Sequence, residues 1–156
     1  MRKELSGIAL GRRGFVAAGA ALITTTALFG PAAKSGLPEV EAAIAEILGD
    51  RTAEEGRISL ELPEIAENGN TVPLTVEVES PMTDEDHVTA VHIFADGNPV
   101  ATVAKMNFTP RSGEAIASTR IRLAKTQKIH AIAEMSDGSV FTAARDVKVT
   151  IGGCGG

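Results

Sequence analysis

The stretch Val72-Pro73-Leu74-Thr75-Val76-Glu77-Val78 decides the fold class, because apolar positions recur along it with a period of two. That period belongs to a β-strand with one buried and one solvated face. Pro73 has no N–H to give to a neighbouring strand, so we expect an edge position or a strand entry there. The fold is therefore built outward from a half-buried strand.

Similar apolar runs, separated by turn residues, occupy most of the chain on either side of this stretch. We predict strands at 58–62, 72–78, 88–95, 100–104, 117–123, 128–135, 140–144 and 147–151. Asp96-Gly97-Asn98-Pro99 predicts a hairpin turn with positive-φ residues, 67–70 a connection and 136–139 a second turn. Seven or eight short strands at near-regular spacing indicate an all-β, immunoglobulin-like antiparallel sandwich.

One helix is predicted before these strands, at 37–48. Val40, Ile44, Ile47 and Leu48 fall on one stripe at helical spacing, and Gly49 is a natural C-terminal stop. We expect this stripe to pack on the core or on a partner, and the helix to bind no ligand.

Residues 1–33 have the layout of a cleavable export signal: basic residues, then an uncharged apolar run, then small residues. The pair Arg12-Arg13 resembles the twin-arginine export signal, although Gly11 stands where that pattern has Ser or Thr. The apolar run is shorter than the roughly 20 residues of a membrane-spanning helix. We therefore expect a periplasmic protein with no stable membrane anchor and with its carrier domain at 34–151.

The charge of the chain argues against nucleic acid as a partner. Formal net charge is -5, and the lysines and arginines are scattered along the sequence. A protein that neutralises phosphates needs a basic patch instead.

The chemistry concentrates on Cys154, the only cysteine, which four glycines surround: Gly152, Gly153, Gly155 and Gly156. Glycine adopts most backbone conformations and buries no side chain, so a flexible, exposed arm is predicted at 152–156. Fully extended, five residues span at most roughly 17 Å. Such an arm can carry a thiol from the domain surface into the cleft of another protein.

Cys154 lacks the sequence surroundings of a catalytic nucleophile. Activation of a thiol needs a nearby cation, a histidine or a helix N-terminus, and the nearest cation in sequence is Lys148. We therefore expect a chain that is not itself an enzyme. His87, His92 and His130 raise the possibility of a blue-copper centre. No strand follows Cys154 to close such a site, so no metal is expected.

Three segments resemble the SoxY family, the carriers of bacterial sulfur-oxidising systems. They are 118–127, 133–138 and 147–151, the last of which runs into the Gly-Gly-Cys-Gly-Gly end. That pentapeptide after a strand is the most specific motif, and the resemblance extends over essentially the whole chain.

The resemblance implies an immunoglobulin-like sandwich that forms a periplasmic heterodimer with a small β-protein, SoxZ. It implies that Cys154 holds intermediates of thiosulfate oxidation as covalent adducts, with no other cofactor. It also implies three partner enzymes. A c-type haem protein couples thiosulfate to the cysteine, a hydrolase releases sulfate, and a sulfane dehydrogenase oxidises the remaining sulfur.

Two other functions stay open from the residues alone. Gly155-Gly156 could serve as a thiocarboxylate, as in ubiquitin-like sulfur carriers, although a bare Gly-Gly end is a weak motif. Cys154 could instead form disulfide-linked dimers in a redox or structural module, because an exposed arm restrains such pairing little.

Overall fold

The computed structural model describes residues 37–153. The signal region with Arg12 and Arg13, and the residues Cys154, Gly155 and Gly156, lie outside the described part. The helices and strands are α1 Leu37–Leu48, β1 Ala53–Glu55, β2 Ile58–Glu61, β3 Ile65–Asn68, β4 Val72–Val78, β5 Val88–Ala95, β6 Thr102–Asn107, a 3₁₀ turn Pro110–Ser112, β7 Ala115–Ile121, β8 Gln127–Met135 and β9 Val140–Ile151.

Two sheets pack face to face, which confirms the predicted β-sandwich. The larger sheet has the order β1-β9-β8-β5-β6, with β3 also paired to β9, and the smaller sheet has the order β2-β4-β7. Strand β4, from which the prediction began, alternates between buried and more exposed positions and lies in the middle of the smaller sheet. Pro73 is the second residue of β4 and lies beyond the residues that pair with β2, so it pairs with β7 alone, and the prediction of an edge or strand entry is confirmed at this residue.

The core between the sheets is made of aliphatic side chains from almost every strand. Leu74, Val76, Ile93, Leu123 and Ile129 are among its fully buried members. The sequence has no Trp or Tyr, so this packing is made by Val, Ile, Leu, Ala and Met, with Phe141 as its one buried aromatic side chain among the described residues. Close-packed aliphatic contacts of this kind supply most of the folding free energy of a sandwich.

Helix α1 covers the outer face of the larger sheet, as its apolar stripe predicts. Val40 is buried with Phe94 and Ile132 of the sheet, and three further members of the stripe pack at the margin of this cluster: Ile44, Ile47 and Leu48. Gly49 ends the helix with a φ of 55°, and its N–H donates to the carbonyl oxygen of Ala45. Among residues 37–153 no helix is long and apolar enough to span a membrane.

The last strand differs from the prediction of two separate strands. β9 is continuous from Val140 to Ile151 and pairs with β8 along most of its length. Arg145 and Asp146, which the prediction left between two strands, lie within β9 and pair with Ile129 and Lys128 of β8. Arg145 Nε donates to the carbonyl oxygen of Leu60 at 3.4 Å, and Asp146 lies 3.6 Å from Lys128 Nζ.

Two parallel pairings on β9 were also not predicted. β1 pairs with the first residues of β9 and β3 with the last, where the sequence had suggested only a connection at 67–70. Both strands are short and polar, so the alternation that identifies a strand is hardly visible in them.

The turn after β5 is present where it was predicted, but its geometry differs. Among the described glycines, positive φ occurs at Gly49, Gly56, Gly113 and Gly138, and not at Gly97. A Cβ at Gly97 would instead lie 2.8 Å from Gln127 Cβ. Gly97 is therefore needed because Gln127 packs closely against its backbone. Strand β6 starts at Thr102, two residues later than predicted.

Candidate functional site

The end of β9 is tied to two loops by a circuit of backbone hydrogen bonds. Gly69 donates to the carbonyl oxygen of Ile151 at 2.7 Å, and Leu123 donates to that of Gly69 at 2.8 Å. Gly153 then donates to the carbonyl oxygen of Leu123 at 2.9 Å. We call these three bonds the glycine clasp. They secure the chain up to the residue that precedes Cys154.

The glycines of this region are required by space, since none of them has a positive φ. A Cβ at Gly152 would lie 2.1 Å from the carbonyl oxygen of Ala124, and one at Gly69 would lie 2.2 Å from that of Leu123. A Cβ at Gly153 would lie 2.9 Å from the carbonyl oxygen of Gly69. Real Cβ atoms do not approach backbone atoms so closely, so any side chain at these positions would force the loops apart.

The predicted exposure of the arm is seen at Gly152, which is exposed, and is wrong at Gly153, which is buried. At both residues a Cβ would collide with neighbouring backbone atoms. Glycine predicts backbone freedom, but at these two positions it allows close contact between backbone segments. The rest of the predicted arm, Cys154, Gly155 and Gly156, lies outside the described residues.

The loop at 122–124, to which Gly153 is bonded, is held in place by a network of buried side-chain amides. Asn98 Nδ2 donates to the carbonyl oxygen of Arg122 at 2.9 Å, and Asn98 Oδ1 accepts from the N–H of Ala124 at 3.0 Å. Gln127 Nε2 also donates to Asn98 Oδ1, at 2.9 Å, while its Oε1 accepts from the N–H of Gly97. Both amide side chains are almost fully buried.

Buried amide groups whose hydrogen bonds are satisfied make a loop rigid, so Asn98 and Gln127 fix the loop at Arg122 and Ala124. Thr126 adds a further tie, because its hydroxyl accepts from the N–H of Val149 at 2.9 Å and donates to the carbonyl oxygen of the same residue at 3.4 Å. The backbone up to Gly153, the residue before Cys154, is therefore preorganised.

A cation stands at this exit, although the sequence showed none close by. Arg122 Cγ would lie 2.7 Å from a Cβ placed on Gly153, so the arginine stem lies along the arm. Arg120 and Arg122 together line a groove of about 290 Å³ between the free edges of β6 and β7. Arg122 is far from Gly153 in sequence, and the backbone hydrogen bonds of its neighbour Leu123 bring its loop next to Gly153.

The three histidines lie elsewhere; His92 and His87 have hydrogen-bond partners, whereas the buried Nε2 of His130 has none among the described residues. His92 donates from Nε2 to Glu134 Oε1 at 2.9 Å, and Arg51 pairs with Glu134 Oε2 at the same distance. Burial alone would raise the pKa of Glu134, but the hydrogen bonds and charges of Arg51 and His92 outweigh it and hold that pKa below its usual value. Arg51 also donates to the carbonyl oxygens of Ile47 and Leu48, so the triad fastens the end of α1 to the sheet.

His87 and His130 complete the set. His87 Nδ1 is 2.9 Å from the carbonyl oxygen of Thr83 in the preceding loop. Burial lowers the pKa of His130, although Asp96 opposes the shift from 3.9 Å away. Within residues 37–153, no three side chains of His, Cys, Asp or Glu are grouped to hold a metal ion.

A surface cleft of about 940 Å³ lies along β2, β4 and the middle of β9. Its lining includes Glu61, Glu64, Arg145 and Asp146, and none of the residues of the glycine clasp. It is open and polar and brings no histidine together with a nucleophile. The arm exit is therefore the candidate functional site, on the strength of its preorganised backbone and its connection to the single thiol.

Comparison with known families and structures points to the same end of the chain. Residues 44–154 match the family described as "Sulfur oxidation protein SoxY", so the match extends through Cys154. The search of curated proteins found no match. Among solved structures, the sulfur carrier protein SoxY from Chlorobium limicola f thiosulfatophilum is 35% identical, with a TM-score of 0.61, and the alignment covers 73% of this chain and 98% of that one.

Two further solved structures share the fold alone. The superoxide reductase (neelaredoxin) from Ignicoccus hospitalis is 20% identical with a TM-score of 0.55, covering 62% of this chain and 82% of that one. A putative superoxide reductase from Thermotoga maritima is 21% identical with a TM-score of 0.53, covering 62% and 87%. The family match over most of the chain, together with 35% identity to a solved member, identifies the chain as a member of the SoxY family of sulfur oxidation proteins.

Proposed function

We propose that this chain is a sulfur carrier that holds oxidation intermediates of thiosulfate as covalent adducts on Cys154. The family match that reaches Cys154 carries this proposal. The preorganised exit supports it, because a carrier must present its thiol from a defined point on its surface. The chain contains no second cysteine with which this thiol could form an intrachain disulfide.

The proposed loading step is an oxidative coupling. The Cys154 thiol and thiosulfate form a sulfur–sulfur bond, giving Cys–S–S–SO₃⁻, one proton and two electrons. The electrons pass to a partner of the c-type haem class, which is the oxidant of this step. The carrier contributes the thiol and its position, and the partner contributes the redox chemistry.

The proposed unloading begins with hydrolysis by a second partner. Water attacks the terminal sulfone, so that Cys–S–S–SO₃⁻ and water give Cys–S–SH, sulfate and a proton. A sulfane dehydrogenase then oxidises the outer sulfur: Cys–S–SH and three waters give Cys–S–SO₃⁻, seven protons and six electrons, which pass to an acceptor of the c-type haem class. A further hydrolysis releases sulfate and a proton and restores the thiol. In this scheme the chain is not itself an enzyme, and its substrates remain attached to it while partners act.

We further propose a heterodimer with a small SoxZ-like β-protein in the periplasm. The basic and apolar layout of residues 1–33, including Arg12-Arg13, supports export. The periplasm is an oxidising compartment, and a single cysteine there is consistent with a thiol that carries covalent sulfur adducts.

The test is incubation of the reduced chain with thiosulfate and an electron-accepting c-type haem protein, followed by intact-mass and peptide mass spectrometry. We expect added mass of one thiosulfate on the C-terminal peptide alone. The matched controls are Cys154→Ser and a reaction without the haem protein, and both should stay unmodified. Equal labelling of Cys154→Ser would contradict the proposal.

A further inference from the structure

The glycine clasp places an exposed asparagine directly before a glycine that cannot be replaced. Gly69 is buried, and a Cβ there would lie 2.2 Å from the carbonyl oxygen of Leu123, so only glycine fits at this position. Asn68 is the last residue of β3, where it is exposed and pairs with Ile151 of β9. The packing of the clasp therefore maintains the dipeptide Asn68-Gly69 at the surface.

An asparagine in this sequence can lose its side-chain amide without an enzyme. The backbone nitrogen of the next residue attacks the asparagine Cγ, a carbon–nitrogen bond forms, and the Cγ–Nδ2 bond breaks. Ammonia leaves with the proton of the backbone amide, and a cyclic succinimide remains. Glycine permits this attack best, because it has no Cβ to shield its nitrogen.

Water then opens the succinimide at one of its two carbonyl carbons. Attack at Cγ gives aspartate, whereas attack at the backbone carbonyl carbon gives isoaspartate, whose main chain contains one additional methylene group. Overall, one asparagine and one water give one carboxylate and one ammonium ion. The conversion needs no oxidant or reductant.

Two hydrogen bonds act on the reacting groups of Asn68 and Gly69 in opposite directions. The N–H of Gly69 donates to the carbonyl oxygen of Ile151 at 2.7 Å, so the nitrogen that would attack is held by the end of β9. The N–H of Asn70 donates to Oδ1 of Asn68 at 2.9 Å, which polarises the side-chain carbonyl and would stabilise the oxyanion formed there. The electrophile is therefore activated, whereas the nucleophile is restrained.

The three other asparagines of the chain lack this combination. Their sequences are Asn70-Thr71, Asn98-Pro99 and Asn107-Phe108. The nitrogen of proline has no proton to lose, and the side chains of Thr and Phe crowd the nitrogen of their own residue. Asn68 is therefore the asparagine most prone to this reaction.

We propose that Asn68 is a latent deamidation site, and that the glycine clasp suppresses the reaction while Ile151 holds Gly69. Isoaspartate at position 68 lengthens the main chain before Gly69 by about 1.5 Å, the length of one carbon–carbon bond. Gly69 then cannot bond to both Ile151 and Leu123, although the clasp requires hydrogen bonds of 2.7 and 2.8 Å to them. An opening of the clasp followed by reaction thus becomes permanent, and the end of β9 loses its fixed position. This inference does not depend on the proposed carrier function.

The experiment follows Asn68 in the full chain at mildly alkaline pH, by peptide mass spectrometry and by methylation of isoaspartate with a protein carboxyl methyltransferase. In the unmodified chain we expect the reaction to be at least about tenfold slower in native buffer than in guanidinium chloride, because the clasp must first open locally. In native buffer, Gly152→Ala should react about tenfold faster than the unmodified chain. Its new Cβ would lie 2.1 Å from the carbonyl oxygen of Ala124 and forces the clasp open.

Two control variants separate opening of the clasp from general loss of stability. Thr150→Ala changes an exposed side chain close to the clasp, and Val40→Ala weakens a separate apolar cluster between α1 and the larger sheet. Both should react at nearly the rate of the unmodified chain. Equal rates for Gly152→Ala and Val40→Ala overturn the inference, and so do equal rates for the folded and the unfolded chain. Circular dichroism confirms that each variant is folded; if Gly152→Ala is not, the comparison of folded with unfolded chain decides.

The consequence for the clasp is measured by hydrogen exchange on chain that has reacted at Asn68. The matched control is Asn68→Asp, which has the new negative charge but not the additional methylene group. We expect the amides of Leu123 and Gly153 to lose protection in the isoaspartate form and to keep it in Asn68→Asp. Equal protection in the two forms would show that lengthening of the main chain does not open the clasp.

Discussion

Gly153 donates its backbone N–H to the carbonyl oxygen of Leu123 at 2.9 Å, and Leu123 has no exposed surface. The residue before the single cysteine is therefore fastened to a loop that is itself part of the core. The thiol-bearing segment begins from this fixed point, and its reach beyond the clasp grows by only about 3.3–3.6 Å for each further extended residue.

Substitutions at the clasp should lower the stability of the sandwich. We expect Gly69→Ala and Gly152→Ala each to reduce the free energy of unfolding by about 1–3 kcal/mol, because each new Cβ would collide with a carbonyl oxygen. Urea unfolding measures the effect. Thr150→Ala, an exposed position two residues before Gly152, is the control and should change the free energy by less than about 0.5 kcal/mol. Equal midpoints for all three variants would show that the loops do not pack as described.

The buried side-chain amide of Asn98 should contribute strongly to the stability of the sandwich, because it has several hydrogen-bond partners. Asn98→Ala leaves the carbonyl oxygen of Arg122, the N–H of Ala124 and the amide of Gln127 short of partners, so we expect a loss of about 2–4 kcal/mol. Hydrogen exchange of the Ala124 amide should accelerate more than that of amides in β8. Asn107→Ala, at an exposed position, should have neither effect. Unchanged protection of Ala124 would argue against the network.

The Arg51–Glu134–His92 triad gives the protein an acid-sensitive contact. The pKa of Glu134 is lowered in the folded state, so its contribution to stability is present above the ordinary pKa of a glutamate and is lost as pH falls through the lowered folded value. The stability difference between the unmodified chain and Glu134→Gln should therefore narrow on acidification below about pH 4.3. Carboxyl NMR titration checks the direction, and in Arg51→Gln the pKa of Glu134 should move upward. No movement would remove Arg51 as a cause.

The contact between α1 and the larger sheet should depend on Val40. Val40→Ala removes buried methyl groups from a cluster with Phe94, Ile132 and Val140, and we expect a loss of about 1–3 kcal/mol in chemical unfolding. Glu41→Ala, on the exposed side of the same helix, is the matched control and should leave stability nearly unchanged. If the two variants unfold at the same denaturant concentration, the helix does not rest on the sheet in the way described.

Much of the fold could be predicted because local patterns agree with burial. The alternation at 72–78 and the strands at 88–95 and 128–135 are seen in the structure almost as predicted, and α1 has the predicted limits. The short strands β1 and β3 could not be predicted, since three or four mostly polar residues show no periodicity. Their pairing depends on a continuous β9, which is itself a property of the whole sheet.

The sequence by itself determined the sandwich, the helix and the presence of one thiol among four glycines, because periodicity and residue type are local properties of a chain. Only the tertiary structure decided what Gly152 and Gly153 do, since a glycine serves equally for backbone freedom and for close approach. The neighbouring backbone atoms select close approach here. Tertiary structure also placed Arg122 beside Gly153, because the backbone hydrogen bonds of Leu123 join residues that lie far apart along the chain.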